Sequence, residues 1–437
     1  MKCACHFSLQ RLMTSMGLIV CAVPLLFSQQ EETNWTHFRG SKLDGVSHNT
    51  GLPLNWNDSI NVKWKGPVHG KGYSSPVVNH GKIWLTTANT NGKKLYALCY
   101  DLSSGRLIHD ILVFERDSAL SIHALNSYAT PTPAVADDAV YIHFGSMGTA
   151  CLDAITGEVK WKRTDLVCDH VQGPASCPFI YKNLLILHYE GVDIQYIIAL
   201  NRETGQTVWK TIRPQEYYTS VDPIARKAYS TPIVIQIDGK DMLISSGSEV
   251  CIAYDPMTGK EIWRITYTSD SSIAMPLYCD GILLISTGFG SPVRLMAVNP
   301  KGSGNITNTN ILWQTDRDVP GINTPVAVNG RLYMIQEHGT VTCLNVKTGA
   351  VIWKNKLKGE FYSSPVAADG KVYFPSKQGV TYVLKEGEAF HLLSQNKTSG
   401  EIMATLAVSG KSLLLRTSKA LYRIQSEATS EPDQISQ

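Results

Sequence analysis

The chain repeats one unit along most of its length. Thr-Gly with a Trp four residues beyond the Gly occurs at Thr156-Gly157…Trp161, Thr204-Gly205…Trp209, Thr258-Gly259…Trp263 and Thr348-Gly349…Trp353. The opening half of the unit, a Ser/Thr-x-Pro followed by apolar residues, recurs at Ser74-Ser75-Pro76, Pro131-Thr132-Pro133, Ser176-Cys177-Pro178, Ser230-Thr231-Pro232, Met275-Pro276, Thr324-Pro325 and Ser363-Ser364-Pro365. A degraded copy begins near Met403-Ala404-Thr405. About four short strands at a period of ~40–55 residues match propeller blades, in which a unit too small to bury its own faces stacks on its neighbours.

Strand composition agrees. Leu184–Leu187, Ile282–Ile285 and Leu413–Leu415 are continuous apolar runs, as expected for sheets covered on both faces; a sandwich with one wet face would alternate. The outer-strand position, read as Trp64, His109, Trp161, Trp209, Trp263, Trp313, Trp353 and Phe390, counts eight copies and takes six of the nine tryptophans, which marks it as packing between units. Cys99, Cys151 and Cys343 share a repeat position with Ala199, Ala253 and Ala297, so it is a small buried strand site. The C-terminal copy supplies strands but no outer one, and Asn61-Val-Lys-Trp-Lys65 is an outer strand with no inner ones; joined, they close the ring without exposed edges. The expected fold is therefore all-β: an eight-bladed β-propeller of four-stranded antiparallel blades over 61–425, closed by N- and C-terminal strands in one blade. Seven blades is the alternative if the last copy is irregular. Residues 30–60 are expected to strap the ring, and 426–437 to be a disordered tail.

Lys2 and Arg11 ahead of the apolar Met16–Phe27 have the shape of a secretory signal peptide over 1–29, too short to span a membrane. The expected location is periplasmic or secreted, with an outer-membrane lipoprotein through Cys21 the lesser alternative. Seven cysteines follow the leader, an odd number, and Cys168 with Cys177 is the one plausible disulfide. The 40 basic and 37 acidic residues nearly cancel, so no nucleic-acid footprint is present, and no later segment is apolar enough to cross a bilayer.

Ser74-Ser-Pro-Val-Val, Tyr254-Asp-Pro-Met-Thr-Gly-Lys-Glu-Ile-Trp263 and Leu344-Asn-Val-Lys-Thr-Gly-Ala-Val-Ile-Trp353 resemble the repeat of pyrroloquinoline-quinone (PQQ)-type β-propellers. That family includes quinoprotein alcohol dehydrogenases and the non-enzymatic propeller of the outer-membrane β-barrel assembly machinery. The opening Trp35-x-x-Phe-Arg-Gly40…Asp44-Gly-Val46…Trp56 is similar to secreted quinone-binding-like members. The resemblance implies a fold more than an activity, because a propeller's function sits in its loops. An enzyme of that family would hold PQQ with calcium; its vicinal Cys-Cys is missing here, and no Cys-x-x-Cys-His haem motif is present. Phosphate-loop, Gly-x-Ser-x-Gly and His-Glu-x-x-His motifs are also missing.

What remains is a binding surface. Tyr73, Tyr128, Tyr229 and Tyr362 recur at the entrance of inner strands, where they either ring the channel mouth or pack on the next blade. Departures from the repeat supply the other candidates: His123 and Asn126 in 118–127, Glu190 and Asp193, and Arg226 in 217–227. The reading is a monomeric, secreted, non-catalytic binding or scaffold propeller that engages an envelope protein, peptide or glycan without a cofactor. A PQQ-dependent oxidoreductase and a carbohydrate-acting or carbohydrate-binding propeller are the alternatives.

Overall fold

The structure is a computed structural model that describes Met1 and residues 32–289 and 293–426. The leader with its Cys21, and all but the first residue of the tail, lie outside the described residues. Eight antiparallel blades follow one another in chain order. The first runs Val77–Asn79, Lys82–Ala88, Lys94–Asp101 and Leu107–Glu115 from the innermost strand outward. The eighth takes Ala407–Ser409, Ser412–Arg416 and Ala420–Ile424 from the C-terminal end and its outer strand, Val62–Pro67, from the N-terminal side. Trp64 pairs with Arg423 and Lys65 with Tyr422 across this seam, and Asp58 reinforces it by accepting from Tyr422 Oη at 2.7 Å. The only helical turns among the described residues are two 3₁₀ turns, Gln215–Tyr217 and Pro223–Ala225.

The repeat now has a physical account. Each outer aromatic pairs across the ladder with the small residue of the third strand: His109 with Cys99, Trp161 with Cys151, Trp209 with Ala199, Trp263 with Ala253, Trp313 with Ala297 and Trp353 with Cys343. A ladder irregularity stands beside each of these pairs and sets the indole over the following blade. There the Thr-Gly glycine receives it. Gly205 sits on Trp161, Gly259 on Trp209 and Gly349 on Trp313, at φ of 73°, 68° and 70° and so close that a Cβ would enter the ring. The indole N–H completes the joint: Trp161 donates to Arg202 O at 3.0 Å and Trp313 to Val346 O at 3.0 Å. Phe390 does not occupy this position. Ser394 faces Val383 in the seventh blade, and Phe390 lies ahead of the strand, edge-on to Trp353 with centroids 5.6 Å apart.

Residues 32–60 run along the ring. Trp35 bridges to Val78, Thr36 O accepts from Val135 N, His37 Nε2 from Ile180 N, and Val46–Ser47 adds a parallel strand to Val366–Ala368. Arg39 is fully buried beneath the channel and donates to the carbonyls of Thr324, Pro325, Pro365 and Asp44 at 2.7–3.1 Å. One segment thus ties blades one, two, three, six and seven. No helix among the described residues is long and apolar enough to cross a membrane.

Candidate functional site

The segments that lead into the innermost strands surround an axial cavity of about 330 Å³, within the usual range of ligand pockets. Its wall is built in layers that follow the repeat. The residue two positions ahead of each inner strand forms a crown: Ser75, Thr132, Cys177, Thr231, Met275, Thr324, Ser364 and Thr405. Two positions further back a second layer contains Tyr73, Thr130, Ala175, Tyr229, Ile273, Ile322, Tyr362 and Met403. Phe38 joins the lining from the N-terminal strap, which bonds to residues beyond the crown.

The crown is stitched from blade to blade. Ser75 N donates to Thr132 Oγ1 (2.9 Å), Thr132 N to Cys177 Sγ (3.2 Å) and Cys177 N to Thr231 Oγ1 (2.9 Å). Beyond Met275, whose thioether breaks the series, Met275 N donates to Thr324 Oγ1 (3.0 Å), Thr324 N to Ser364 Oγ (3.0 Å), Ser364 N to Thr405 Oγ1 (3.1 Å) and Thr405 N to Ser75 Oγ (3.0 Å). The bridge expected between Cys168 and Cys177 is therefore not made. Both are buried free thiols. Cys177 serves as a hydroxyl substitute in the crown, whereas Cys168 Sγ lies 3.6 Å from the His170 ring. Burial pushes both thiols above their ordinary pKa.

Loops raise the wall on one side only. His123 and Asn126, then Gln172, Ile224 and Lys227, then Asp270 come from the connections between blades one and five, and Phe289 from within blade five, while blades six to eight contribute little beyond their two layers. Asn126 holds its loop in place, donating to Gln172 O at 2.8 Å and accepting from Ser127 N at 2.8 Å. Tyr229 Oη donates to His170 O at 3.1 Å and Gln172 Oε1 at 3.3 Å, and Tyr362 Oη to Glu360 Oε1 at 3.2 Å. The Lys227 side chain is 1% exposed and its Nζ meets Ile224 O and, at 3.4 Å, Asp270 Oδ1.

Of the residues singled out from sequence, Tyr73, His123, Asn126, Tyr229 and Tyr362 come together here, and the other four do not. The Tyr128 ring packs on Gly92. Glu190 is fully buried between blades three and four, ion-paired with Arg213 and 3.0 Å from His188 Nε2, so it is unavailable to a ligand. Asp193 ties its turn to the neighbouring loop by accepting from Asp169 N at 2.7 Å, and Arg226 Nε holds its own loop by donating to Val221 O at 2.9 Å. Sequence reasoning chose Arg226 where the next residue, Lys227, faces the cavity. It also passed over the crown, although the Ser or Thr before five of the seven repeat prolines carried that signal.

Solved structures share the fold. A europium-containing methanol dehydrogenase superposes with a TM-score of 0.70 at 11% identity, covering 90% of this chain and 91% of that one. BamB from Moraxella catarrhalis gives 0.52 at 16%, covering 78% and 98%. Among sequence relatives, the quinohemoprotein alcohol dehydrogenase ADH-IIG of Pseudomonas putida is 28% identical over 47% of this chain and 28% of its own. The outer membrane protein assembly factor BamB of Yersinia pestis is 22% identical over 36% and 38%. The chain thus spans less than half the length of each of these two relatives. The family described as outer membrane protein assembly factor BamB matches residues 193–314 and 295–425, more than half of the chain, and the protein belongs to this family of PQQ-type β-propellers.

Proposed function

We propose that this protein is a non-catalytic binding propeller of the cell envelope that takes part of a protein or peptide partner into its axial cavity. The observation that carries the reading is the state of the crown. A hydroxyl nucleophile needs a base to receive its proton. The six crown hydroxyls accept backbone N–H bonds from the neighbouring blade, and none donates to an imidazole or carboxylate. The remaining charged groups, Lys227 and Asp270, face each other. A wall of this kind is suited to holding a group, and its Tyr73, Tyr362, Ile273, Ile322 and Met403 offer the apolar contact. The envelope location rests on the leader pattern and, with a protein partner, on the relatives described as outer membrane protein assembly factors.

The quinone of the dehydrogenase relatives does not suit these residues. Its three carboxylates would meet one ammonium that already has Asp270 as counterion. Among the described residues, no three His, Cys, Asp or Glu side chains converge to hold the calcium ion that accompanies it.

The test is occupancy. The neutral fluorophore N-phenyl-1-naphthylamine is expected to bind the purified protein, and Ile273→Trp, which fills the cavity, to abolish the signal. Stoichiometric uptake of PQQ with Ca²⁺, accompanied by dye-linked alcohol oxidation, would overturn the reading.

A further inference from the structure

The crown also fixes which hydrogen-bonding role the cavity wall can offer. Ser75, Thr132, Thr231, Thr324, Ser364 and Thr405 are each at most 5% exposed and line the cavity. Each oxygen already accepts a backbone N–H, and among the described residues none of the six hydroxyls donates to a protein acceptor. A hydroxyl has one proton to give. Six buried O–H donors therefore remain around the axis, on a wall that the strap's Phe38 joins.

Lys227 adds charge of the matching sign. Two of its three ammonium protons are taken up by Ile224 O and Asp270 Oδ1. The separation from Asp270, 3.4 Å, is longer than the ~2.7–2.9 Å of a tight charge-assisted bond, and the same oxygen accepts from Ser271 Oγ at 2.6 Å. Among the described residues the third proton has no acceptor, which leaves it for a ligand. Across the axis the wall is apolar, with Tyr73, Tyr362, Met403 and Ile322.

Resting on the reading of this cavity as a binding site, we infer that its ligand is an apolar body carrying a single carboxylate, the anion directed at Lys227 and the crown hydroxyls and the body laid against Tyr73, Tyr362 and Met403. The Lys227 ammonium, held only loosely by Asp270, has one proton to give to one carboxylate. A neutral amide of the same shape keeps an acceptor for the crown hydroxyls but lacks the charge that Lys227 would meet. The free carboxyl end of a peptide and a free small acid share this chemistry.

Displacement of N-phenyl-1-naphthylamine separates these cases. The probes are acetyl-Ala-Ala-Leu and 4-methylpentanoate, each compared with its amide. At least one acid is expected to displace the dye at tenfold or more lower concentration than its amide. Lys227→Met should bring acid and amide within about twofold, and Lys227→Arg should keep the preference, with thermal melts confirming that both variants fold. Displacement by the peptide acid alone supports a peptide end as the source; equal displacement by 4-methylpentanoate supports a free acid. Dye uptake with acid and amide indistinguishable, or with neither displacing it, overturns the inference while the cavity reading stands, as does a preference that survives Lys227→Met. A protein that takes up neither dye nor acid overturns both.

Discussion

The Thr405 backbone N–H donates to Ser75 Oγ at 3.0 Å, joining residues 330 positions apart and closing the crown between the eighth blade and the first. The bond lies at the inner edge of the ring, and the Trp64–Arg423 pairing completes the eighth blade itself at the outer edge. Ser75→Ala leaves a buried N–H without a partner at the junction between the eighth blade and the first. A cost of about 1–3 kcal/mol is expected, read as a lower urea midpoint with the slope retained. Ser75→Thr, which keeps the oxygen, should recover most of it. A midpoint unchanged by Ser75→Ala would show that the seam does not depend on this bond.

Glu190 and Arg213 form the most heavily buried ion pair among the described residues. Neither side chain is exposed, and Arg213 also donates to Ser245 O at 3.1 Å and Val250 O at 3.2 Å in the next blade. Glu190→Ala strands a buried guanidinium and is expected to destabilise the fold by about 3–5 kcal/mol. The double change Glu190→Leu with Arg213→Met removes both charges and should cost less than the single one. Chemical denaturation of the two variants measures this; a double variant less stable than Glu190→Ala would refute it.

The fold was legible because packing between blades imposes the same residues at every copy: an outer Trp, a small partner opposite it and a glycine to receive it. Where the demand was met by a different residue, sequence reading slipped. Phe390 looked like the seventh outer aromatic, but Ser394 holds that register and Phe390 packs on Trp353 from the preceding loop. The candidate site was half legible. Tyr73, Tyr229 and Tyr362 stand at a repeated position and so could be read, whereas Glu190 drew notice as a departure from the repeat that serves burial of Arg213. Nothing in the local sequence separates the half-buried loop charge Arg226 from Lys227. Which of two adjacent side chains enters the channel depends on the 3₁₀ turn Pro223–Ala225, capped by Asp222 accepting from Ile224 N at 3.0 Å.

Gly349 tests the joint between blades six and five. At φ of 70° an added Cβ would lie 2.7 Å from the Trp313 ring, so Gly349→Ala meets both backbone strain and a clash. A loss of about 1–3 kcal/mol is expected, against almost none for Gly370→Asn. Gly370 has a similar φ of 66° but nothing within reach of its Cβ, and Asn tolerates this backbone region. Equal losses at the two sites would assign the cost to backbone conformation alone.

Acid should loosen the ring before its carboxylates titrate. Burial lowers the pKa of His37 to about 4 and of His170 to about 4, and burial together with the neighbouring His170 lowers His143 to about 3. In the unfolded chain these imidazoles titrate near the ordinary 6.5. Between pH 6.5 and 4 the unfolded state therefore binds protons that the folded state refuses. The stability they contribute is fully present above pH 6.5 and falls as pH drops toward 4. Urea midpoints measured at pH 7.5, 6, 5 and 4 should decline steadily. His143→Asn, which keeps a polar group near Thr149 Oγ1, now 2.9 Å from Nδ1, should reduce the slope over that window. A midpoint flat from pH 7.5 to 5, or a slope identical in the variant, would mean that these histidines are not held neutral by the fold.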